Sequence, residues 1–389
     1  MITLFQKQQS LLARTNLSFK RYMFGKFPWN SRMAGLVGPR GVGKTTMLLQ
    51  YIKEQNDTDI LYVSADDIYF SNHRLTDVAD EFYKNGGKRL FIDEIHKYKD
   101  WSVELKNIYD FYPDLKICFT GSSILDIRKG MADLSRRALM FSMQGFSFRE
   151  YLKFEHLVEV QIHSFEEIIG NQTTLINSIE HPLPLFREYL KKGYYPMANQ
   201  DNQAIRLEQI LNLTLEVDIP QFANLSVTTA RKLKKLLLVI AESAPFKPNF
   251  VSLARKLEVS RNSLEEYLTF MEDAGLIARL RDQAKGIISL GRVEKVYLDN
   301  PNLIYYLSAK VPEMGNIRET FFLNQMRVNN AVVSSVVADF KIDKYAFEVG
   351  GKNKSQEQIK NTPNAFVVKD DIEYGYKNVV PLWAFGLNY

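Results

Sequence analysis

Leu36-Val37-Gly38-Pro39-Arg40-Gly41-Val42-Gly43-Lys44-Thr45-Thr46 decides how the amino-terminal part of this chain folds. Apolar residues from Met33 to Val37 read as a buried strand, and the run from Met47 to Ile52 reads as the helix that follows. Between them lies the spacing G-x-x-x-x-G-K-[ST] of a phosphate-binding loop. Glycines let the backbone curl so that successive N–H groups point at a triphosphate, and the helix N-terminus adds partial positive charge. The pattern assigns Gly38, Pro39, Gly41, Val42, Gly43, Lys44, Thr45 and Thr46 to a nucleoside triphosphate. Lys44 reaches the β- and γ-phosphates, Thr45 the magnesium ion, and Thr46 the α-phosphate side. Arg40 reads as solvent-facing.

Outward from the loop, short apolar runs alternate with helical patterns up to about residue 145. Strands are expected at Met33–Val37, Ile60–Ser64, Arg89–Ile92, Leu115–Thr120 and Ala138–Met143, with helices at Lys44–Gln55, Leu75–Lys84 and Trp101–Tyr109. This alternation implies an α/β fold with a mostly parallel sheet whose ligands sit at the carboxyl ends of the strands. Arg89-Leu90-Phe91-Ile92-Asp93-Glu94-Ile95 ends a buried strand in two adjacent carboxylates. Asp93 is placed to hold the magnesium shell, and Glu94 to orient and deprotonate the attacking water. GTPases usually lack that second acid and ATP hydrolases usually have it, so ATP with Mg2+ is the expected ligand set. The next strand ends Thr120-Gly121-Ser122-Ser123. Any of the three hydroxyls can sense the γ-phosphate from there, and Ser122 is the preferred one, with an N-cap role compatible. Arg136 and Arg137 precede the fifth strand; Arg137 is taken as the guanidinium that stabilises transition-state charge, in cis or from a neighbouring subunit.

Composition bounds the rest. A chain of 389 residues suggests two to four domains. Apolar residues at 46% and charged residues at 24% are ordinary globular values, and no apolar run reaches the ~18 residues of a membrane span. Met1 to Phe19 lacks the basic cap, apolar block and cleavage site of a signal peptide. Cys118 is the only cysteine, which excludes an internal disulfide framework and fits a reducing cytoplasm. It lies in an apolar strand and reads as a packed thiol. The net charge of +5 permits nucleic-acid contact without arguing for it.

Three further regions are expected. Residues 146–229 turn helical, punctuated by Pro182, Pro184, Pro196 and Pro220, and read as a helical lid on the 1–145 core. Residues 230–310 give three helices, Ala230–Ala244, Asn249–Leu257 and Ser260–Ala274, then strands Leu276–Leu280 and Lys295–Leu298, a winged-helix pattern. Its Ser260–Ala274 helix opens Ser260-Arg261-Asn262-Ser263, polar enough for phosphate and base contacts, and Arg279, Arg281 and Lys285 lie in the wing. Glu265, Glu266, Glu272 and Asp273 on the same helix would repel a duplex. DNA binding and protein docking are close, with DNA slightly favoured. Residues 311–389 form a small α/β domain: a helix near Glu319–Met326, strands near Ala331–Phe340 and Tyr345–Val349, and a β-rich tail from Val379 to Phe385.

The loop, Phe91-Ile92-Asp93-Glu94-Ile95-His96, Thr120-Gly121-Ser122-Ser123 and Gln144-Gly145-Phe146-Ser147-Phe148-Arg149-Glu150-Tyr151-Leu152 together resemble bacterial and archaeal AAA-type ATPases of the archaeal-ATPase group, relatives of the STAND signalling ATPases. Gly193-Tyr194-Tyr195-Pro196 resembles the turn of that group's helical lid, which implies that Pro196 approaches the nucleotide base. The resemblance also implies a winged helix and a C-terminal domain of restriction-endonuclease-like fold.

In that nuclease pattern an Asp at one strand end and a Glu-x-Lys on the next bind magnesium, with a helix acid helping. This chain offers Asp339, Glu348 and Glu319, but Gly350 stands where the lysine belongs, and the nearest lysine is Lys352. Two residues along a strand shift a side chain by roughly 6–7 Å. The expectation is a degenerate site on a retained fold. The whole reads as an ATP-hydrolysing regulatory switch whose downstream domains contact DNA. Two alternatives remain: a nucleotide-gated signalling or assembly module that binds a protein or its own copies, and an ATP-regulated nuclease. No membrane partner is expected.

Overall fold

Strands β1 (Met33–Val37), β2 (Ile60–Ser64), β3 (Arg89–Asp93), β4 (Lys116–Gly121) and β5 (Leu139–Ser142) lie side by side in the order β2-β3-β4-β1-β5, every pair parallel. The structure is a computed structural model describing residues 1–121, 134–170, 179–197, 201–223, 225–243, 250–283, 291–308 and 310–389, which divide into the units Met1–Gly145 and Phe146–Tyr389. β1 is buried along its whole length, which is why it reads as an unbroken apolar run rather than an alternating one. Among the described residues, helices α1 (Ile2–Arg14), α2 (Lys44–Gln55), α3 (Leu75–Lys84) and α4 (Trp101–Phe111) accompany this sheet in the first unit. The α/β architecture is the one expected from the sequence.

Helix α1 has a weak signal in the sequence, because its inward stripe is Leu4, Gln8 and Leu12, with a polar residue in the middle. That residue has a purpose. The Gln8 amide accepts from Tyr62 N–H at 2.7 Å and donates to Ile60 O at 3.3 Å. It occupies backbone groups on the outer side of β2, the edge strand, and so guards them against pairing with another chain.

The second unit begins with α5 (Phe148–His156), α6 (Phe165–Gly170) and α7 (Pro182–Glu188), the last running into a π-helical turn at Tyr189–Gly193. A π turn frees carbonyls, and here Asn302 answers them: its amide donates to Tyr189 O and Leu190 O at 3.2 and 3.0 Å and accepts from Tyr194 N–H at 2.8 Å. Then come α8 (Gln203–Leu213), a second π turn, α9 (Ile219–Ala223), α10 (Val227–Ser243), α11 (Phe250–Leu257), α12 (Arg261–Asp273) and the antiparallel hairpin β6 (Ile277–Arg281) and β7 (Val293–Leu298). α13 (Pro301–Leu307) and α14 (Met314–Met326) lead into a second sheet.

That sheet has the order β12-β11-β10-β9-β8, from β8 (Val332–Ser334), β9 (Phe340–Ile342), β10 (Tyr345–Gly350), β11 (Ala365–Lys369) and β12 (Val379–Pro381). β10, β11 and β12 pair parallel, β8, β9 and β10 antiparallel. The single strand expected over Ala331–Phe340 is broken between Ser334 and Phe340, and β11 was not anticipated. Phe186 of α7 packs edge-on against Phe321 of α14 at 4.8 Å, and Ser147 Oγ donates to Tyr389 O at 2.6 Å. The first helices of this unit thus share a core with its last residues. Among the described residues no helix is long and apolar enough to cross a membrane.

Candidate functional site

The phosphate loop joins β1 to α2, and three of its glycines hold positive φ: 153° at Gly38, 78° at Gly41 and 96° at Gly43. A side chain at Gly38 would put its Cβ 2.2 Å from Met143 O, so the loop closes only on glycine there. Lys44 is 5% exposed, and its Nζ donates to Gly38 O and Pro39 O at 2.8 Å each. Thr45 and Thr46 stand in the first turn of α2, where N–H groups face outward from the helix end. A loop curled around a buried ammonium, with a helix N-terminus behind it, fits a polyphosphate.

Asp93 and Glu94 lie at the carboxyl end of β3, and β4 separates that strand from β1. Thr120, at the end of β4 and fully buried, joins both acids. Its hydroxyl donates to Asp93 Oδ1 and accepts from Glu94 N–H at 3.1 Å. Tyr62 from β2 donates to Asp93 Oδ2 at 2.9 Å, and burial beside that carboxylate pushes the phenol pKa up. Glu94 sits in the left-handed region at φ 51°, a conformation that costs a non-glycine residue about 1–3 kcal/mol and clusters at functional sites. Its Oε2 lies 3.4 Å from Nε2 of the buried His96.

Of the hydroxyls of Thr120, Ser122 and Ser123, that of Thr120 contacts the acids, while Ser122, preferred from the sequence, and Ser123 lie outside the described residues. Arg137 is not beside the loop of its own chain. It precedes β5, which runs parallel to β1 with Leu139 opposite Ala34, so Arg137 falls at the amino edge of the sheet while the loop follows the carboxyl edge. There its Nε and Nη2 grip Asp110 at 2.9 and 2.8 Å and hold that carboxyl below its usual range.

Pro196 lies in the second unit, partly exposed, after Tyr194 and Tyr195, which are buried. The three acids noted near the C-terminus do come together. Lys295 of β7 reaches Glu319 Oε2 at 2.9 Å and Asp339 Oδ1 at 3.1 Å, and Tyr297 donates to Glu319 at 2.7 Å. Burial and the Asp339 charge push Glu319 upward; burial also raises Glu348, beside the charges of Asp339 and Glu319. The lysine on Glu348 is Lys354, at 2.5 Å, and not Lys352, which is exposed. Lys354 reaches back because Gly350 has no Cβ: one built there would lie 2.6 Å from the lysine's Cδ.

The hairpin arginines are also accounted for. Arg279 and Arg281 bond Glu272 of α12 at 2.7 Å each through Nε and Nη2, and their side chains are only 11% and 15% exposed. Burial alone would raise Glu272; the two guanidiniums outweigh it and hold the carboxyl low. Lys285 lies outside the described residues.

A parallel sheet carrying a phosphate loop on one strand and an Asp-Glu pair on the next strand but one defines a P-loop NTPase unit. Residues 30–152 match the family model described as an AAA domain, in keeping with the phosphate-loop geometry of this segment. Residues 183–313 match a model described as a domain of unknown function, DUF8612. The uncharacterized protein MJ1637 of Methanocaldococcus jannaschii is 27% identical over 271 residues, 63% of this chain and 56% of that protein, so the match spans little more than half of the relative's length. Among solved structures, the Walker-type ATPase PABY2304 of Pyrococcus abyssi aligns over 74% of this chain and 95% of its own at 15% identity and TM-score 0.42. AMPPCP-bound DnaA from Aquifex aeolicus aligns over 69% and 88% at 13% identity and TM-score 0.25.

Proposed function

We propose that this chain is an ATP-hydrolysing switch, with the chemistry in the first unit. The observation that carries the reading is the joint tethering of Asp93 and Glu94 by Thr120, on the strand between them and the phosphate loop. Lys44 and the N–H groups of Gly41 to Thr46 hold the triphosphate. Thr45 and Asp93 would hold magnesium, which when bound neutralises phosphate charge. Glu94 takes a proton from water as its oxygen attacks the γ-phosphorus and the β–γ bridge breaks, leaving ADP and phosphate. Lys44→Ala should abolish ATP binding, and Glu94→Gln should preserve binding while stopping hydrolysis. Normal turnover in Glu94→Gln removes that residue from the reaction.

The helices α10 to α12 with their hairpin support a winged-helix assignment for 230–310. Its preferred partner changes from DNA to protein, because Arg279 and Arg281 already neutralise Glu272. Titration with duplex DNA at ~50 mM salt, with and without ATP, decides: no binding is expected, and salt-sensitive binding restores the DNA reading. The C-terminal sheet, with lysines already on its three acids, is read as a retained nuclease-like fold that does not cut. Magnesium-dependent cleavage lost in Asp339→Ala overturns that.

A further inference from the structure

Arg21 belongs to no motif in the sequence, yet it is 6% exposed and sits behind the phosphate loop. Its guanidinium donates to Val42 O inside the loop, to Gln144 O at 2.7 Å and to Gly145 O at 2.9 Å. The segment it grips also braces the loop's entrance. Met143 N–H donates to Val37 O at 2.8 Å, and Met143 O lies against Gly38 so closely that no Cβ fits between them. The side chain of Tyr22, next to Arg21, receives Gln144 N–H at 3.3 Å. Entrance and crest of the loop are thus fastened to the same three residues.

The bond to Val42 O has a consequence fixed by covalent geometry. In a trans peptide the C=O and the following N–H point in opposite directions. A guanidinium that holds Val42 O on its own side therefore turns Gly43 N–H to the other side. Gly43, with φ of 96°, has the freedom to accept that orientation. Planar guanidinium suits the task because it presents several donors in a fixed fork, which an ammonium cannot.

We propose that Arg21 is a positioning residue for triphosphate binding. Anchored on Gln144 O and Gly145 O, it fixes the Val42–Gly43 peptide so that Gly43 N–H is presented to the phosphates before they arrive. This rests on the phosphate-loop reading above, and the two fail differently.

The test is a titration of the full chain with ATP and with adenosine, followed by steady-state hydrolysis, for wild type, Arg21→Ala and Arg21→Lys. Arg21→Ala should weaken ATP binding about ten- to hundredfold, in the range expected when hydrogen bonds from a charged donor are lost. KM should rise more than kcat falls. Adenosine, lacking phosphates, should bind all three proteins alike, and added guanidinium ion should restore part of the ATP affinity of Arg21→Ala. Arg21→Lys keeps charge and bulk, guards against a simple folding failure, and should fall between the two. Wild type that does not bind ATP defeats the phosphate-loop reading itself. Wild type that binds, with both variants within twofold of it, overturns the role of Arg21. So does an equal loss in both variants that guanidinium leaves untouched, the result that a merely misfolded loop gives.

Discussion

Acids in the two units are held in opposite ways. Asp93 accepts hydrogen bonds from two hydroxyls, Tyr62 on one oxygen and Thr120 on the other. Glu319 and Asp339 share the ammonium of Lys295, and Glu348 takes that of Lys354. A hydroxyl orients a carboxylate and leaves its negative charge in place; an ammonium cancels it. The first arrangement keeps Asp93 suited to a divalent cation, while the second makes a buried ionic strut between β7, α14 and the C-terminal sheet. Clustered acids therefore say little about chemistry until their counter-charges are known.

The comparison is broken most directly at Asp93. Asp93→Asn keeps the shape and can still accept from Thr120, but drops the charge, and hydrolysis should fall by several kcal/mol of transition-state stabilisation. Phosphate release measured against magnesium concentration tests it, with Asp339→Asn as the contrasting variant whose turnover should be unchanged. Equal turnover in both would erase the distinction. Next in size is Lys295→Met, which leaves Glu319 and Asp339 facing each other without their shared cation. The second unit should lose about 3–5 kcal/mol, the range for breaking a buried ion pair from one side. Urea unfolding can be followed at Trp383, the unit's only tryptophan. Adding Glu319→Gln should recover part of the loss, and no recovery would show that the lysine acts through packing alone.

The parts legible in the sequence are those where local pattern and chemistry coincide. β1, β2, α2 and α3 fall where apolar runs and their glycine or polar flanks place them. The phosphate loop is readable because its spacing is itself the cradle. What escaped depends on neighbours distant in the chain. Gln8 looks like a flaw in a helical stripe until the edge of β2 is beside it. Lys354 is invisible to a two-residue lysine rule because a glycine lets it fold back. Arg137 is a different lesson: parallel strands put a residue that precedes a strand on the edge away from the ligand of its own chain, so the cis half of that expectation could have been set aside from the sequence alone, leaving the neighbouring-subunit half. Arg21 had no signal, since its partners are backbone carbonyls.

A smaller effect is expected at the hydroxyl that ties the acids of the first unit. Thr120→Val preserves shape in a fully buried position but loses both the bond to Asp93 and the acceptor for Glu94 N–H. Turnover should drop about 10–100-fold, the usual cost of removing a group that orients a metal ligand. Thr120→Ser should retain most activity. If valine and serine behave alike, the hydroxyl is not what holds the acids.

The smallest effect tests the lysine-held acids by pH. Burial comes first in raising the Glu348 carboxyl, and the nearby Asp339 and Glu319 charges add to it against the pull of Lys354. A carboxyl that binds its proton more tightly in the folded than in the unfolded chain gives ν_N greater than ν_U, so stability falls as pH rises. The contribution is present below the ordinary glutamate value of about 4.3 and is lost as pH climbs through the folded-state value. Glu272, held low by two arginines, acts in the opposite sense and loses its contribution as pH falls. The informative quantity is therefore the difference between Glu348→Gln and wild type across that window. The variant cannot titrate there, so its second unit should gain on wild type as pH rises from acid to neutral. Losing the pair with Lys354 shifts the variant's stability at neutral pH but is already contained in the net shift that sets the slope, and with that lysine's side chain 34% exposed it is worth little. Parallel stability curves for the two proteins would mean that Glu348 is already fully compensated by Lys354, and the two groups of acids would then differ in partners but not in strain.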